Sequence, residues 1–494
     1  MLLTLAFRHL WVRKLRALFL LLGFSLGVGV MVVLLSVGEA MLEQSRDVSL
    51  VGGGEVTVLP QGIDIEAMRT GGLGAMFFGI DRARFLTRQA LGGPRHAGMV
   101  HTLAPAIEGK LLYLCRRDAP CVPRPVRAGA EVPSRARALG AGLDVLLGRW
   151  EDSPADSAYV APTPQQLYDE IDRFHLPRRP DSTWGEWHYF NVVAAPDDWW
   201  YITFLVGGAV SAGLPETGQG RGWGGRVLIT HRTPDGRYVR FAAEEPVPGV
   251  VLDTSRADLV IGRSAVRQRK GTYYLSARAA GTAGPVAIDL AVHPAPERYF
   301  PPVELRDDGF LSGYVVPALR AAAIGRLCVA DRCAAVTHAP AYHDHNWGVW
   351  RGVTWEWGAA RGSRIDLLYG GVYGGPERKG AADAVASPLF LTVVDSLGVR
   401  QVLPFAGIRY AGERLAVGAP GAVAPGSFDL EAVRGADTVR LHVDVVHALA
   451  TDMMSGALRR YFLQMRGRFQ LSGSLAGEPV ADSGMGFFET YRRR

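Results

Sequence analysis

Arg226-Val-Leu-Ile-Thr-His-Arg232, Thr233-Pro-Asp-Gly236 and Arg237-Tyr-Val-Arg-Phe241 read together as two short strands folded about a tight turn. The flanks carry β-branched and aromatic residues, and Pro-Asp-Gly supplies a preset φ, a side-chain acceptor and a residue free to take positive φ. The same grammar extends both ways. Upstream, Glu186–Val193 and Trp199–Val206 flank Ala195-Pro-Asp-Asp198; downstream, Thr272–Ala279 and Val286–Val292 flank a Gly-rich turn. It resumes at Val353–Gly358, Ile365–Tyr373, Leu389–Val394, Val399–Phe405, Val439–His447, Phe462–Ser472 and Val480–Tyr491. Leu441, Val443 and Val445 alternate with His442 and Asp444, the period of a half-buried strand.

So many short antiparallel strands with almost no helix between them must close into barrels or sandwiches to remove their edges. The chain is therefore expected to be all-β from about Trp184, with two barrel-like units dividing near residues 335–340. The expected organisation is a transmembrane anchor over 1–40, a linker-like segment over 41–180, and β domains over 181–337 and 338–494. Residues 41–150 are broken by Gly52-Gly-Gly54, Gly71-Gly72 and Gly92-Gly93 and sustain no periodicity. One helix is expected at Pro164–Phe174, with Thr163 as its N-cap.

The anchor rests on Ala17–Gly38, which contains no charged residue and, as a helix, would cover roughly 33 Å. Arg8, Arg13, Lys14 and Arg16 precede it, while Glu39, Glu43 and Asp47 follow. The positive-inside rule then places the N-terminus in the cytoplasm and the β module in the periplasm or outside the cell, on a single-pass protein of the inner (cytoplasmic) membrane. A cleaved signal peptide is the competing reading, but its apolar core would be shorter.

A net charge of +6 does not indicate a nucleic-acid partner. Four of the 54 basic residues are lysines, the arginines are scattered among acids, and no basic stripe interleaves with aromatics. The four cysteines form two close pairs, Cys115/Cys121 and Cys328/Cys333, expected as disulfides outside the cytoplasm. Cys328-Val-Ala-Asp-Arg-Cys333 reads as two strand ends across a turn. The spacing does not suit zinc.

The densest polar cluster is Tyr342-His-Asp-His-Asn-Trp-Gly348, followed by Trp350 and Trp355-Glu-Trp357. In an extended strand His343 and His345 share one face, with Asp344 and Asn346 on the other. A weaker cluster is Trp184-Gly-Glu-Trp-His-Tyr-Phe-Asn191, with Trp199-Trp-Tyr201 on the next strand. A metal at His343/His345 would find two local ligands at best, and no metal or cofactor is expected. His188, His442 and His447 read as ordinary strand residues.

Glu186-Trp-His-Tyr189, His343-Asp-His-Asn-Trp-Gly348 and Gly484-Met-Gly-Phe-Phe-Glu489 together resemble the carotenoid 1,2-hydratase/AttH-like lipocalin-type family over about residues 184–494. The resemblance implies two tandem lipocalin-like barrels with a pocket near their junction and a hydrophobic isoprenoid- or polyketide-like ligand. It departs on one strand: where the family carries Tyr-x-Asp, this chain has Tyr369-Gly-Gly371, and Asp366 lies three residues earlier. Leu5-Ala-Phe-Arg-His-Leu10, the basic cluster and the span resemble the start of an FtsX/MacB-type ABC-transporter permease over residues 1 to about 110.

Two functions of different class follow. An enzyme would protonate an alkene carbon, hydrating or cyclising its substrate, with an acid kept neutral by an apolar pocket. Asp344 is the candidate acid, His345 its partner, and Tyr369 with the tryptophans the wall facing the cation. Trp187, Tyr189, Asn346, Trp347, Trp355 and Trp357 are the candidate substrate-binding residues. The alternative is a non-catalytic carrier of a hydrophobic small molecule, held at the membrane and associated with ABC-transporter components. On either reading, Asp344, His345 and Asn346 could instead simply tie strands together, with the tryptophans as core.

Overall fold

The structure is a computed structural model that describes residues 14–46, 83, 86, 103, 106–115, 124–131, 169, 171–176, 184–207, 224–307, 310–349, 354–373, 389–455 and 458–493. The chain divides into two compact units, Met1–Ala83 with Val100–Ala161, and Arg84–Met99 with Pro162–Arg494.

The first unit contains helix α1 (Lys14–Arg46) and a hairpin of β1 (Ala106–Leu114) and β2 (Arg124–Glu131). The expected anchor lies within α1, and its side chains from Leu22 to Val37 are exposed. Among the described residues no helix is long and apolar enough to cross a membrane. Most of the permease-like stretch falls outside the described residues.

The second unit opens with β3 (Gly185–Ala195), β4 (Asp198–Gly207), β5 (Gly224–Arg232) and β6 (Tyr238–Pro246). Short strands β7 (Val250–Leu252), β8 (Leu259–Ile261) and β9 (Ser264–Arg269) lead to β10 (Thr272–Gly281) and β11 (Gly284–Pro294). Then come β12 (Phe300–Asp307), β13 (Phe310–Val329) and β14 (Arg332–Val349). Strands β3, β4, β5, β6, β10, β11, β13 and β14 each pair with the next, and β14 pairs back onto β3. The result is an eight-stranded up-and-down barrel without open edges on the main ring.

The second ring uses β15 (Thr354–Gly362), β16 (Asp366–Tyr373), β17 (Leu389–Asp395) and β18 (Gly398–Phe405). Three minor strands, β19 (Arg409–Ala411), β20 (Arg414–Leu415) and β21 (Val423–Ala424), intervene. The ring is completed by β22 (Ser427–Arg434), β23 (Asp437–Ser455), β24 (Leu458–Leu475) and β25 (Glu478–Arg493). It closes where β25 meets β15 and where Phe405 of β18 pairs with Ala432 of β22. The all-β, two-barrel expectation is thus met. The division expected at 337/338 falls inside β14, whose second half pairs with β3, so sheet membership changes between Val349 and Thr354.

Each barrel is filled by its own side chains. Phe190, Ile202, Phe204, Ile229 and Tyr273 pack inside the first, and Tyr369, Phe428, Phe469 and Phe488 inside the second. A third apolar cluster lies between them, with Tyr189, Tyr314 and Tyr342 from the first barrel against Trp357, Leu368 and Phe487 from the second. Two polar contacts flank this seam. Arg320 on β13 makes a bidentate bond to the fully buried Asp366 on β16, with Arg298 3.1 Å from the same carboxylate. The Trp199 ring lies against the guanidinium of Arg232, 4.7 Å away, and that of Arg466 from the second barrel, 4.3 Å away.

The Cys328–Cys333 disulfide forms as expected, across directly paired positions of β13 and β14. Cys115 is disulfide-bonded, and its expected partner Cys121 lies outside the described residues.

Candidate functional site

The pleat of β14 sends alternate side chains to opposite sides, as the sequence pattern predicts. Along β3 the register is His343↔Phe190, Asp344↔Tyr189, His345↔His188, Asn346↔Trp187 and Trp347↔Glu186. The histidine set turns into the first barrel, and the Asp344 set faces the seam. Both faces of β3 and of the second half of β14 are buried, which lets one pair of strands carry two separate polar clusters.

At the seam, the Asp344 carboxyl is 3% exposed. The Tyr342 hydroxyl donates to its Oδ2 at 2.8 Å, and Asn346 Nδ2 to its Oδ1 at 2.6 Å. Trp357 Nε1 donates to the Tyr342 oxygen at 3.1 Å, completing a relay that crosses from one barrel to the other. Every one of these partners is neutral. Burial pushes the Asp344 carboxyl up to about 8, with the charge of Glu489 adding to the effect. Glu489, on β25, is half-buried and pushed up to about 7 by burial. It accepts from Gln464 at 3.2 Å and from Trp355 Nε1 at 3.4 Å, and Gln464 also reaches the Tyr189 hydroxyl. Two carboxyls with raised pKa thus share an aromatic wall made by both barrels.

Inside the first barrel, His345 Nδ1 lies 2.5 Å from Asp172 and its Nε2 lies 3.1 Å from Glu186. Burial works against charge on this imidazole, but the two carboxylates prevail and raise it to about 9. Tyr273 donates to the other oxygen of Asp172. His343 Nδ1 bonds the Tyr189 carbonyl at 3.1 Å, and His188 Nε2 bonds that of Ala257 at 3.1 Å. Burial lowers both of these histidines.

Of the expected catalytic trio, Asp344 alone lies at the seam. His345 is on the opposite face, committed to Asp172 and Glu186. Tyr369 points into the second barrel, stacked 6.0 Å from Phe488, where the absent side chain of Gly358 leaves room for its ring. Trp187, Tyr189, Trp355, Trp357 and Asn346 gather at the seam. Trp347 does not: it turns to the first barrel and stacks on His175 at 3.6 Å. Trp350 lies outside the described residues.

The sequence reading passed over Asp172, Glu186, His188 and Glu489 as functional residues. Asp172 was expected within a helix, yet helical structure ends at Ile171, Asp172 sits in a bend and the irregular segment after it puts Phe174 into the core of the first barrel. His188 was expected to be ordinary, but it is fully buried beside His343 and His345. Glu186 and His188 stand at the same two-residue spacing as His343 and His345 on the paired strand, which is the signal that could have found them.

No protein-family model and no curated protein matches the chain. Among solved structures, an AttH candidate from Nitrosomonas europaea is 14% identical, with 62% of this chain and 92% of that chain covered and a TM-score of 0.42. CghA with Sch210972 is 11% identical, with 64% and 89% covered and a TM-score of 0.43. Kievitone hydratase from Nectria haematococca is 14% identical, with 62% and 88% covered and a TM-score of 0.39.

Proposed function

We propose that the seam between the barrels is the active site of an enzyme that protonates an alkene carbon in a hydrophobic isoprenoid- or polyketide-like substrate, leading to hydration or cyclisation. The observation that carries this reading is the placement of Asp344. Its carboxyl is buried among aromatic rings, held by neutral hydroxyl and amide donors, and bonded to no cation. Apolar surroundings favour the neutral acid, and the two donors stabilise the carboxylate it becomes.

In the proposed cycle the Asp344 O–H proton passes to the alkene, whose π electrons form the new C–H bond and leave a carbocation. Trp357, Tyr314 and Phe487 pack together in the seam cluster, and theirs are the ring faces that would meet that charge. Water adds to the cation while Glu489 takes its proton, or a second alkene closes a ring and Glu489 takes a proton from carbon. Return of that proton to Asp344 completes the cycle, so hydration consumes one water and no oxidant. In this reading α1 holds the module at a membrane, where such substrates partition.

The test is mass spectrometry of the lipid fraction that co-purifies with detergent-extracted wild type and with Asp344→Asn. A hydrated or cyclised molecule on the wild type and its unreacted precursor on the variant would support the enzyme. The same unchanged molecule on both would establish a carrier, including one serving an ABC transporter, and overturn catalysis.

A further inference from the structure

We propose that Asp172, His188 and His343 form a binding site for a divalent transition-metal ion inside the first barrel. One ligand atom from each lies within 4.8 Å of the others, and all three residues are buried. This face of β3 and β14 is separate from the seam and plays no part in the proposed chemistry there.

The argument begins with the hydrogen bonds the two imidazoles already make. His188 uses Nε2 on the Ala257 carbonyl and His343 uses Nδ1 on the Tyr189 carbonyl. A carbonyl accepts and cannot donate, so each ring must carry its proton on that nitrogen. The opposite nitrogens, His188 Nδ1 and His343 Nε2, are therefore left as bare lone pairs in the neutral rings. Both atoms are buried and neither has a hydrogen-bond partner. An uncompensated polar atom in a barrel core is costly, and two of them converging on a carboxylate are not explained by packing.

His343 Nε2 stands 3.5 Å from Asp172 Oδ2. Without a proton between them, a lone pair faces a carboxylate oxygen, a repulsive arrangement that a cation reverses. A four-coordinate ion with bonds of roughly 2.1 Å holds its ligand atoms about 3.4 Å apart, so atoms that already lie within 4.8 Å of one another need draw together by at most about 1.4 Å.

The surrounding groups fit the pattern of a metal site. Histidine ligands commonly donate their second N–H to a backbone carbonyl, which fixes the tautomer and aims the ligating nitrogen. Asp172 is oriented by Tyr273 and His345, and His345 is in turn held by Glu186. Two buried carboxylates here hold His345 between them, with His175 Nδ1 a further 3.5 Å from Glu186, and the bonds they make go to no arginine or lysine. The enclosure therefore favours a positive ion. Two imidazoles and one carboxylate suit zinc or ferrous iron and disfavour calcium and magnesium, which require oxygen donors throughout. The ion would staple the 171–176 segment to β3 and β14, so its binding energy is folding energy for the first barrel.

The experiment uses the full-length chain, stripped of metal by chelator and titrated with cobalt(II) as a spectroscopic probe. One equivalent per chain with visible ligand-field bands, displaced by zinc, is the expected result, together with a higher unfolding temperature for the zinc-loaded protein. His188→Gln is expected to lose the bands while His442→Gln, on an exposed face of the second barrel, retains them. If the His188 variant fails to fold, X-ray absorption of the zinc-loaded wild type decides, with two imidazole shells expected. Absence of stoichiometric uptake, or bands unchanged in a folded His188→Gln, would overturn the site.

Discussion

Asp344 and His345 are consecutive in the chain and serve opposite sides of one strand. The first accepts from Tyr342 and Asn346 at the seam, and the second bridges Asp172 and Glu186 inside the first barrel. The expected acid–partner pair is thus split by the pleat of β14: burial, Tyr342, Glu489 and Asn346 act most on Asp344, and His345 acts on it only as the weakest of these, through its charge.

The pH dependence of turnover follows from that environment. Asp344 must be protonated and Glu489 ionised, so activity is expected to peak between about 7 and about 8, falling below as Glu489 takes up a proton and above as Asp344 loses one. The Tyr342 hydroxyl stabilises the carboxylate, so Tyr342→Phe should move the basic limb upward. A rate profile over pH for both proteins checks this; a limb that moves down, or not at all, excludes Asp344 as the titrating acid.

Glu356 offers a stability prediction independent of function. It is buried in the second barrel, accepts from Tyr410 and Thr490, and is pushed up from 4.5 to about 7 by burial. A carboxyl raised on folding stabilises fully below its unfolded value, and that contribution is lost as pH rises through the folded one. Relative to Glu356→Gln, the wild type should therefore lose on the order of 3 kcal/mol between about pH 4 and pH 8. Urea unfolding at several pH values measures the difference, and parallel curves for the two proteins would refute it.

Asp366 is the carboxylate on which Arg298 and Arg320 converge from the other barrel. Asp366→Ala leaves both guanidiniums without their counter-charge, with an expected cost of about 3–5 kcal/mol. Calorimetry is the readout. A loss below about 1 kcal/mol would show that the contact is incidental.

Removing the Cys328–Cys333 bond closes off less. Its loop spans a sequence separation of 5, so loop-closure entropy assigns it about 2 kcal/mol. Cys328→Ser with Cys333→Ser should lower the unfolding free energy by that order while leaving the β13–β14 pairing intact by circular dichroism.

How much was legible follows from which faces are buried. The hairpin at Arg232–Tyr238 shows on the chain because its strands have one wet face and a Pro-Asp-Gly turn. Of β13 the sequence shows only the end at Cys328; its Ala321-Ala-Ala-Ile-Gly325 stretch offers no alternation and a single β-branched residue, Ile324. Asp172 was invisible because its partner His345 is 173 residues away, and nothing local ends the helix at Ile171. Tyr369 was misplaced by strand phase. In Leu367-Leu-Tyr369 both neighbours are apolar, and the packing of Leu367 inside the second barrel and Leu368 at the seam decides which way the ring turns.

The double duty of β14 restricts how this protein can change. Substitution at Asp344 leaves the histidine side untouched, and substitution at His343 leaves the acid untouched. A single inserted or deleted residue between Tyr342 and Gly348 would rotate every later side chain to the wrong side, placing imidazoles at the seam and a carboxyl in the barrel core at once. The two clusters can therefore drift apart in chemistry, but the spacing along this strand is common property that neither can alter alone.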